Sequence, residues 1–244
     1  MYLVFLMAII VYVVAVIIRD VLEKRNLQSI TITEPVRVKK YVQLMVWGNG
    51  ALLVTILMSV FYGISFYDIG LRSISFNYNI WVTIAMLILC GLLLLILPLY
   101  QISIFLISTK HREASEKEFA SWDDNSPYAK AILLMTPKSK KEKKLFFGVC
   151  LTSGIGEEIV FRGFLFFILQ SLMPNASVIF ILFIASAIFG VGHLYQGLHG
   201  VIKTAIIGGL FGGLFLVTNS LLPVILLHFL GNWASSFMRC EMED

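Results

Sequence analysis

Residues 153–170 read SGIGEEIVFRGFLFFILQ, and they place Glu157, Glu158 and Arg162 inside a stretch otherwise apolar enough for hydrocarbon. An ionised side chain at the centre of a bilayer costs at least ~2.5–3.5 kcal/mol on insertion scales. On a helix, residues four apart share a face, whereas neighbours diverge by ~100°. Glu158 and Arg162 therefore stack as an ion pair within one helix. Glu157 faces elsewhere and has no basic residue at i+3 or i+4. A buried carboxylate without a counterion either takes up a proton or meets partners from other helices. The pair reads as structural and Glu157 as chemical.

The rest of the chain supports a membrane setting. Its 244 residues are 58% hydrophobic and 14% charged, with a mean hydropathy of +0.86. Soluble domains run at ~45–50% apolar and ~25% charged, so the chain reads as an all-α, polytopic transmembrane helix bundle. Apolar stretches at 1–18, 42–63, 80–108, 145–170, 176–193, 201–218 and 221–238 give about seven spans, each near the ~20 residues a crossing helix needs. Pro98 inside the third allows a kink or an eighth span. The run 1–18 is followed, not preceded, by Arg19, Lys24 and Arg25, which reads as a retained anchor rather than a cleaved signal. Cys90, Cys150 and Cys240 show neither a disulfide framework nor metal-binding spacing.

Basic residues orient the bundle. Loops 19–41 and 109–144 are rich in Lys and Arg, whereas 64–79 holds only Arg72. The positive-inside rule puts the two basic loops in the cytoplasm, the N-terminus outside and the C-terminus inside, in the cell membrane. Within the second loop, KHREASEKEF suggests an amphipathic surface helix. PKSKKEKK at 137–144 reads as a topology signal against anionic lipid, or alternatively as a substrate-recruiting patch. Asn175 and Ser177 match a glycosylation acceptor, in a turn too short for its use to be expected.

More polar residues stand where lipid is expected. His193 ends the fifth apolar span, four residues after Phe189, and His228 and Asn232 share a face of the seventh. His111 lies in the basic loop and His199 in a connection, both apart from this spacing. Singly, a membrane His is as readily a hydrogen-bonded packing residue as a catalyst. Together, two Glu, one Arg, two His and one Asn are costly unless they converge on one wet cavity. The set can hydrolyse an amide. A carboxylate takes a proton from water and returns it to the leaving amine, a His holds the water, and a His N–H with an Asn amide stabilises the oxyanion. No nucleophile-elbow Ser and no H-E-x-x-H accompany them. The glycines in GGLFGG (208–213) give two overlapping G-x-x-x-G spacings, suited to close helix contact. Gly190, Gly192, Gly197 and Gly200 fit either packing or an opened access path.

At these residues the chain resembles the CAAX-protease and bacteriocin-processing (CPBP, or Abi) family of intramembrane proteases. EEIVFR fits its EExxxR motif, FGVGH its FxxxH motif and HFLGN its HxxxN motif, in the family's order. The resemblance implies Glu157 as the base that activates water, with His193 assisting, and His228 and Asn232 as oxyanion donors. Glu158, Arg162 and Phe189 would support them. It implies an endopeptidase acting on a membrane-associated peptide or protein tail, with a catalytic core at 137–238, preceded by spans in 1–136 and followed by a short tail at 239–244. No cofactor is required on this reading; the alternative is zinc held by Glu157, His193 and His228. The expected partners are the substrate and the lipid bilayer, with no nucleic acid. The rival readings are a non-catalytic membrane scaffold or immunity protein, and a proton-coupled transporter, for which the paired half-sites of inverted repeats are missing.

Overall fold

The computed structural model describes residues 2–27, 31–75, 79–92, 133–194 and 197–240. Pro98, His111, the KHREASEKEF stretch and the second half of the third apolar span lie outside them. Among the described residues the regular structure is entirely helical: α1 (Tyr2–Leu27), α2 (Glu34–Phe61), α3 (Ile80–Gly91) and α4 (Lys140–Glu157) come first. The helix of α4 runs on through a π-helical segment (Glu158–Leu165) into α5 (Phe166–Leu172). Then follow α6 (Val178–Val191), α7 (Gly197–Thr218) and α8 (Leu222–Cys240). Tyr2–Arg19, Glu34–Phe61 and Gly200–Thr218 are long and apolar enough to cross a bilayer, and Ile80–Gly91, Val178–Val191 and Leu222–Ala234 are shorter apolar helices. This is a multi-pass helical membrane protein.

The π-helical segment departs from the regular α-helix that the spacing predicts. Its hydrogen bonds run i to i+5, and such wide turns concentrate at functional sites because they re-aim side chains. All eight of its residues are buried. Gly163 is what lets it pack so deeply: a Cβ there would lie 2.6 Å from the Ile69 carbonyl oxygen and 3.1 Å from Leu221.

Local signals set the helix ends. Pro35 opens α2, where a missing N–H costs nothing. Ser177 caps α6 by accepting from the Phe180 N–H at 3.2 Å, so half of the glycosylation-like pair is a helix cap. α6 and α7 pack closely along the small residues. A Cβ at Gly190 would meet the Val201 carbonyl at 2.7 Å, and one at Gly212 would meet Leu182 at 2.2 Å. That is the close backbone approach expected of small-residue seams in lipid. The bundle's core is aromatic and aliphatic, with Phe5, Phe164, Leu165, Ile168, Leu214, Leu221 and Val224 at most 1% exposed. Leu3, Val11, Phe61 and Ile179 stay on the outer surface, where lipid replaces a protein partner.

Two polar ties lie outside this core. Residues 70–75 latch onto the α7–α8 turn: Arg72 Nε donates to the Asn219 carbonyl at 2.7 Å, its guanidinium also binds the Asn219 side chain, and Ser220 Oγ donates to the Arg72 carbonyl at 2.5 Å. Asn219 sits at φ 52°, a left-handed conformation that Asn tolerates. At the other end, the basic run that leads into the first turn of α4 contains a fully buried carboxylate. Glu142 Oε1 accepts from Arg37 Nε of α2 at 2.7 Å, and Oε2 accepts the N–H groups of Lys138 and Ser139 at 2.6 and 2.9 Å. Ser139 Oγ completes a capping box by accepting from the Glu142 N–H at 3.2 Å. Lys138, Lys140, Lys141, Lys143 and Lys144 all remain exposed around it.

Burial alone would raise the Glu142 pKa, but the Ser139 N–H, Arg37 and the Lys138 N–H together outweigh it and hold the carboxyl below its ordinary value. A carboxylate with a depressed folded pKa adds stability above its unfolded pKa and loses it as pH falls through the folded one. The melting temperature should therefore drop on acidification from neutral through pH ~4.5 and below, and Glu142→Gln should flatten that part of the profile. At neutral pH, Arg37→Gln should cost ~3–5 kcal/mol by leaving a buried charge unpaired. Detergent melting curves of the three proteins across pH check both outcomes.

Candidate active site

α4, α6 and α8 deliver the polar residues to one place. Glu158, fully buried, accepts at the same Oε1 from Arg162 Nη1 at 3.1 Å and from His228 Nδ1 at 2.5 Å. The ion pair expected from i, i+4 spacing is present. The tie to His228, 70 residues away, is a partner the sequence did not reveal. Arg162 is capped on its other side by aromatic faces: its guanidinium carbon lies 3.8 Å from the Phe189 ring centroid and 5.8 Å from that of Phe211. A desolvated cation over a ring gains ~2 kcal/mol, which offsets part of the cost of an Nη2 with no hydrogen-bond acceptor among the described residues. Gly208 makes room there, since a Cβ would stand 3.2 Å from Arg162 Nη2 and 3.1 Å from Phe189.

The spacing of Phe189 and His193 acquires a physical meaning here. The last carbonyls of a helix have no intrahelical partner, and His193 Nδ1 lies 2.9 Å from the Phe189 carbonyl just past the end of α6. Because a carbonyl only accepts, Nδ1 carries the proton and Nε2 faces the site. The His193 ring also packs on Phe189, with centroids 4.7 Å apart. One Phe thus places both Arg162 and His193.

His228 follows the same logic. Its Nδ1–H is held by the Glu158 carboxylate, and its Nε2 turns to the same point as that of His193. Both Nε2 atoms are 3.9 Å from Glu157 Oε2. Glu157 is the carboxylate with access, its side chain 30% exposed against 0% for Glu158. Asn232, one turn beyond His228, donates from Nδ2 to Ser153 Oγ at 3.0 Å, one turn before Glu157. Ser153 and Phe211 were not singled out in the sequence. A hydroxyl on the Glu157 face was the available signal for Ser153, and nothing in the spacing marks Phe211. His111 and the His199 side chain lie outside the described residues.

A zinc ion needs ligands at ~2.0–2.2 Å in a tetrahedron, which puts neighbouring ligand atoms about 3.3–3.6 Å apart. The 3.9 Å separations are wider, and among the described residues no group of three or more His, Cys, Asp or Glu is gathered closely enough to hold a metal. A water at the ordinary hydrogen-bond distance of ~2.8 Å from Glu157 Oε2 and from either Nε2 fits a 3.9 Å gap.

A family model described as Type II CAAX prenyl endopeptidase Rce1-like matches residues 142–234. Over this stretch the chain is similar to the Rce1-like CAAX endopeptidases. The stretch opens at the buried Glu142 and closes two residues after Asn232, so it contains each residue of the polar cluster. Comparison with curated proteins and with solved structures returned no match. This similarity, together with helices long and apolar enough to cross a bilayer, supports a membrane endopeptidase.

If Glu158 is the shared anchor, Glu158→Gln leaves Arg162 charged and buried without its counterion. The variant should lose ~3–5 kcal/mol of stability, seen as a lower melting temperature in detergent and a lower folded yield. Adding Arg162→Gln should restore part of that loss, because the orphaned charge is then gone. A Glu158→Gln protein as stable as the parent would show that the anchor carries little.

Proposed function

We propose that the protein is an intramembrane endopeptidase that hydrolyses a peptide bond in a membrane-associated peptide or protein tail with a glutamate-activated water. The observation that carries this reading is one accessible carboxylate oxygen, Glu157 Oε2, facing two imidazole Nε2 atoms at 3.9 Å, each ring having its Nδ1–H tied elsewhere. A water between them is oriented by His193 Nε2 and gives a proton to Glu157 as its oxygen attacks the scissile carbonyl carbon. The developing oxyanion lies against His228 and Asn232. His228 donates from Nε2 when the ring carries both protons, with its Nδ1–H on the Glu158 carboxylate. When the C–N bond breaks, Glu157 returns the proton to the leaving amine. Glu158 and Arg162 touch no reacting atom; they hold His228.

We place the catalytic core at residues 137–238, with the earlier spans packed around it, the site open towards the cytoplasm, the N-terminus outside and the C-terminus inside. The distribution of Lys and Arg supports that orientation. The chemistry assigned to Glu157, His193, His228 and Asn232 calls for no metal.

Glu157→Gln retains size and hydrogen bonding and removes the base. It should fold and melt like the parent while lowering turnover by ~10²–10⁴, the usual contribution of a positioned acid–base group. Mass spectrometry of membrane peptides from cells with the parent or Glu157→Gln protein identifies the cleaved tails. Near-normal cleavage by the variant would move the base elsewhere, first to Glu158. In detergent, turnover of a quenched fluorescent prenylated CAAX peptide should survive strong chelation. Loss with chelator and recovery with zinc would replace the metal-free mechanism by one with zinc.

A further inference from the structure

Asn232 does not reach the site alone. Ser153 Oγ lies 3.2 Å from the Cys150 carbonyl and 3.0 Å from Asn232 Nδ2. A carbonyl only accepts, so the Ser153 proton goes to Cys150 and the hydroxyl's lone pairs are left to face α8. What faces them must donate. The order of donors, Asn232 amide to Ser153 hydroxyl to Cys150 carbonyl, therefore selects which end of the Asn232 amide points at α4.

The backbone brings this chain of bonds together. α4 and α8 are in close contact here: a Cβ at Gly154, next to Ser153, would stand 3.1 Å from the Phe229 backbone nitrogen and 3.1 Å from its Cβ. Having no Cβ, Gly154 lets the two backbones approach closely enough for Ser153 to stand opposite Asn232. Ser153 also stands one turn before Glu157 on the same helix face, so base and amide are referenced to a single segment.

We infer that Ser153 is a positioning residue that fixes the orientation of the Asn232 amide. Once one Nδ2 proton is given to Ser153, the planar amide fixes the direction of the other. Hydroxyls that merely bond back to their own helix are common in membrane helices. What sets Ser153 apart is that its acceptor side receives a side chain of the site. The inference rests on the reading of Asn232 as an oxyanion donor, but the amide's orientation is measurable without catalysis.

The test uses the full-length protein in detergent micelles, selectively ¹⁵N-labelled at Asn, and the quenched prenylated CAAX peptide as probe. In the parent, the Asn232 side-chain amide protons should exchange slowly with solvent, and in Ser153→Ala at least about tenfold faster. Ser153→Ala should lower kcat by about tenfold, a fraction of the ~10²–10³ that loss of an oxyanion donor causes, with KM within about twofold and an unshifted melting temperature. Ser153→Thr, which keeps the hydroxyl, should restore both amide protection and kcat. In an Asn232→Ala background, Ser153→Ala should cause no further loss. Unchanged amide exchange in Ser153→Ala, or full additivity of the two substitutions, overturns the inference. Parental turnover in Asn232→Ala would instead overturn the oxyanion role of Asn232 and leave the amide measurement to decide the role of Ser153.

Discussion

The carboxylate of Glu158 is the interaction on which the site depends. It is fully buried, and one of its oxygens binds both Arg162 from its own helix and His228 from α8. Removing such a charge from water costs several kcal/mol, which only close partners repay. Because the two partners come from different elements, the carboxylate pins α8 against the π-helical segment. It also holds His228 Nδ1–H, and so sets the nitrogen that faces Glu157. Of the two neighbouring glutamates, one is sealed and one is open.

From that carboxylate the order spreads through aromatic contacts rather than further ion pairs. Arg162 lies over Phe189, whose carbonyl holds His193 and whose ring packs on it. The three short motifs thus form one connected body: the acidic pair and arginine of the α4 helix, the Phe and His of α6, and the His and Asn of α8. Glycines permit this density. Gly163, Gly190 and Gly208 each stand where a Cβ would come within 3.2 Å of a neighbouring atom, and in lipid such close approach supplies the packing that a hydrophobic driving force supplies in water.

Much of this was legible in the sequence because lipid makes polarity conspicuous. Glu157, Glu158, Arg162, His193, His228 and Asn232 stood out as expensive in apolar segments, and the i, i+4 rule paired Glu158 with Arg162 and His228 with Asn232. The helical class followed from composition and from the backbone's need to satisfy its own hydrogen bonds in hydrocarbon. Arg37 and Glu142 did not stand out. They lie among other charges, and nothing in a basic run says which acid will be buried.

The sequence by itself determined the all-helical membrane class, the locations of most of the apolar helices and the identity of the polar set, because each follows from local composition or from spacing within one helix. Only the tertiary structure decided that His228 binds Glu158, that Arg162 rests on Phe189, that Ser153 meets Asn232, and that the helix widens to a π turn after Glu157. Those pairings join residues far apart along the chain, and helix periodicity carries no information about which face of one helix will meet another. That choice belongs to packing, which is settled when the small residues of one helix let a neighbour's backbone approach.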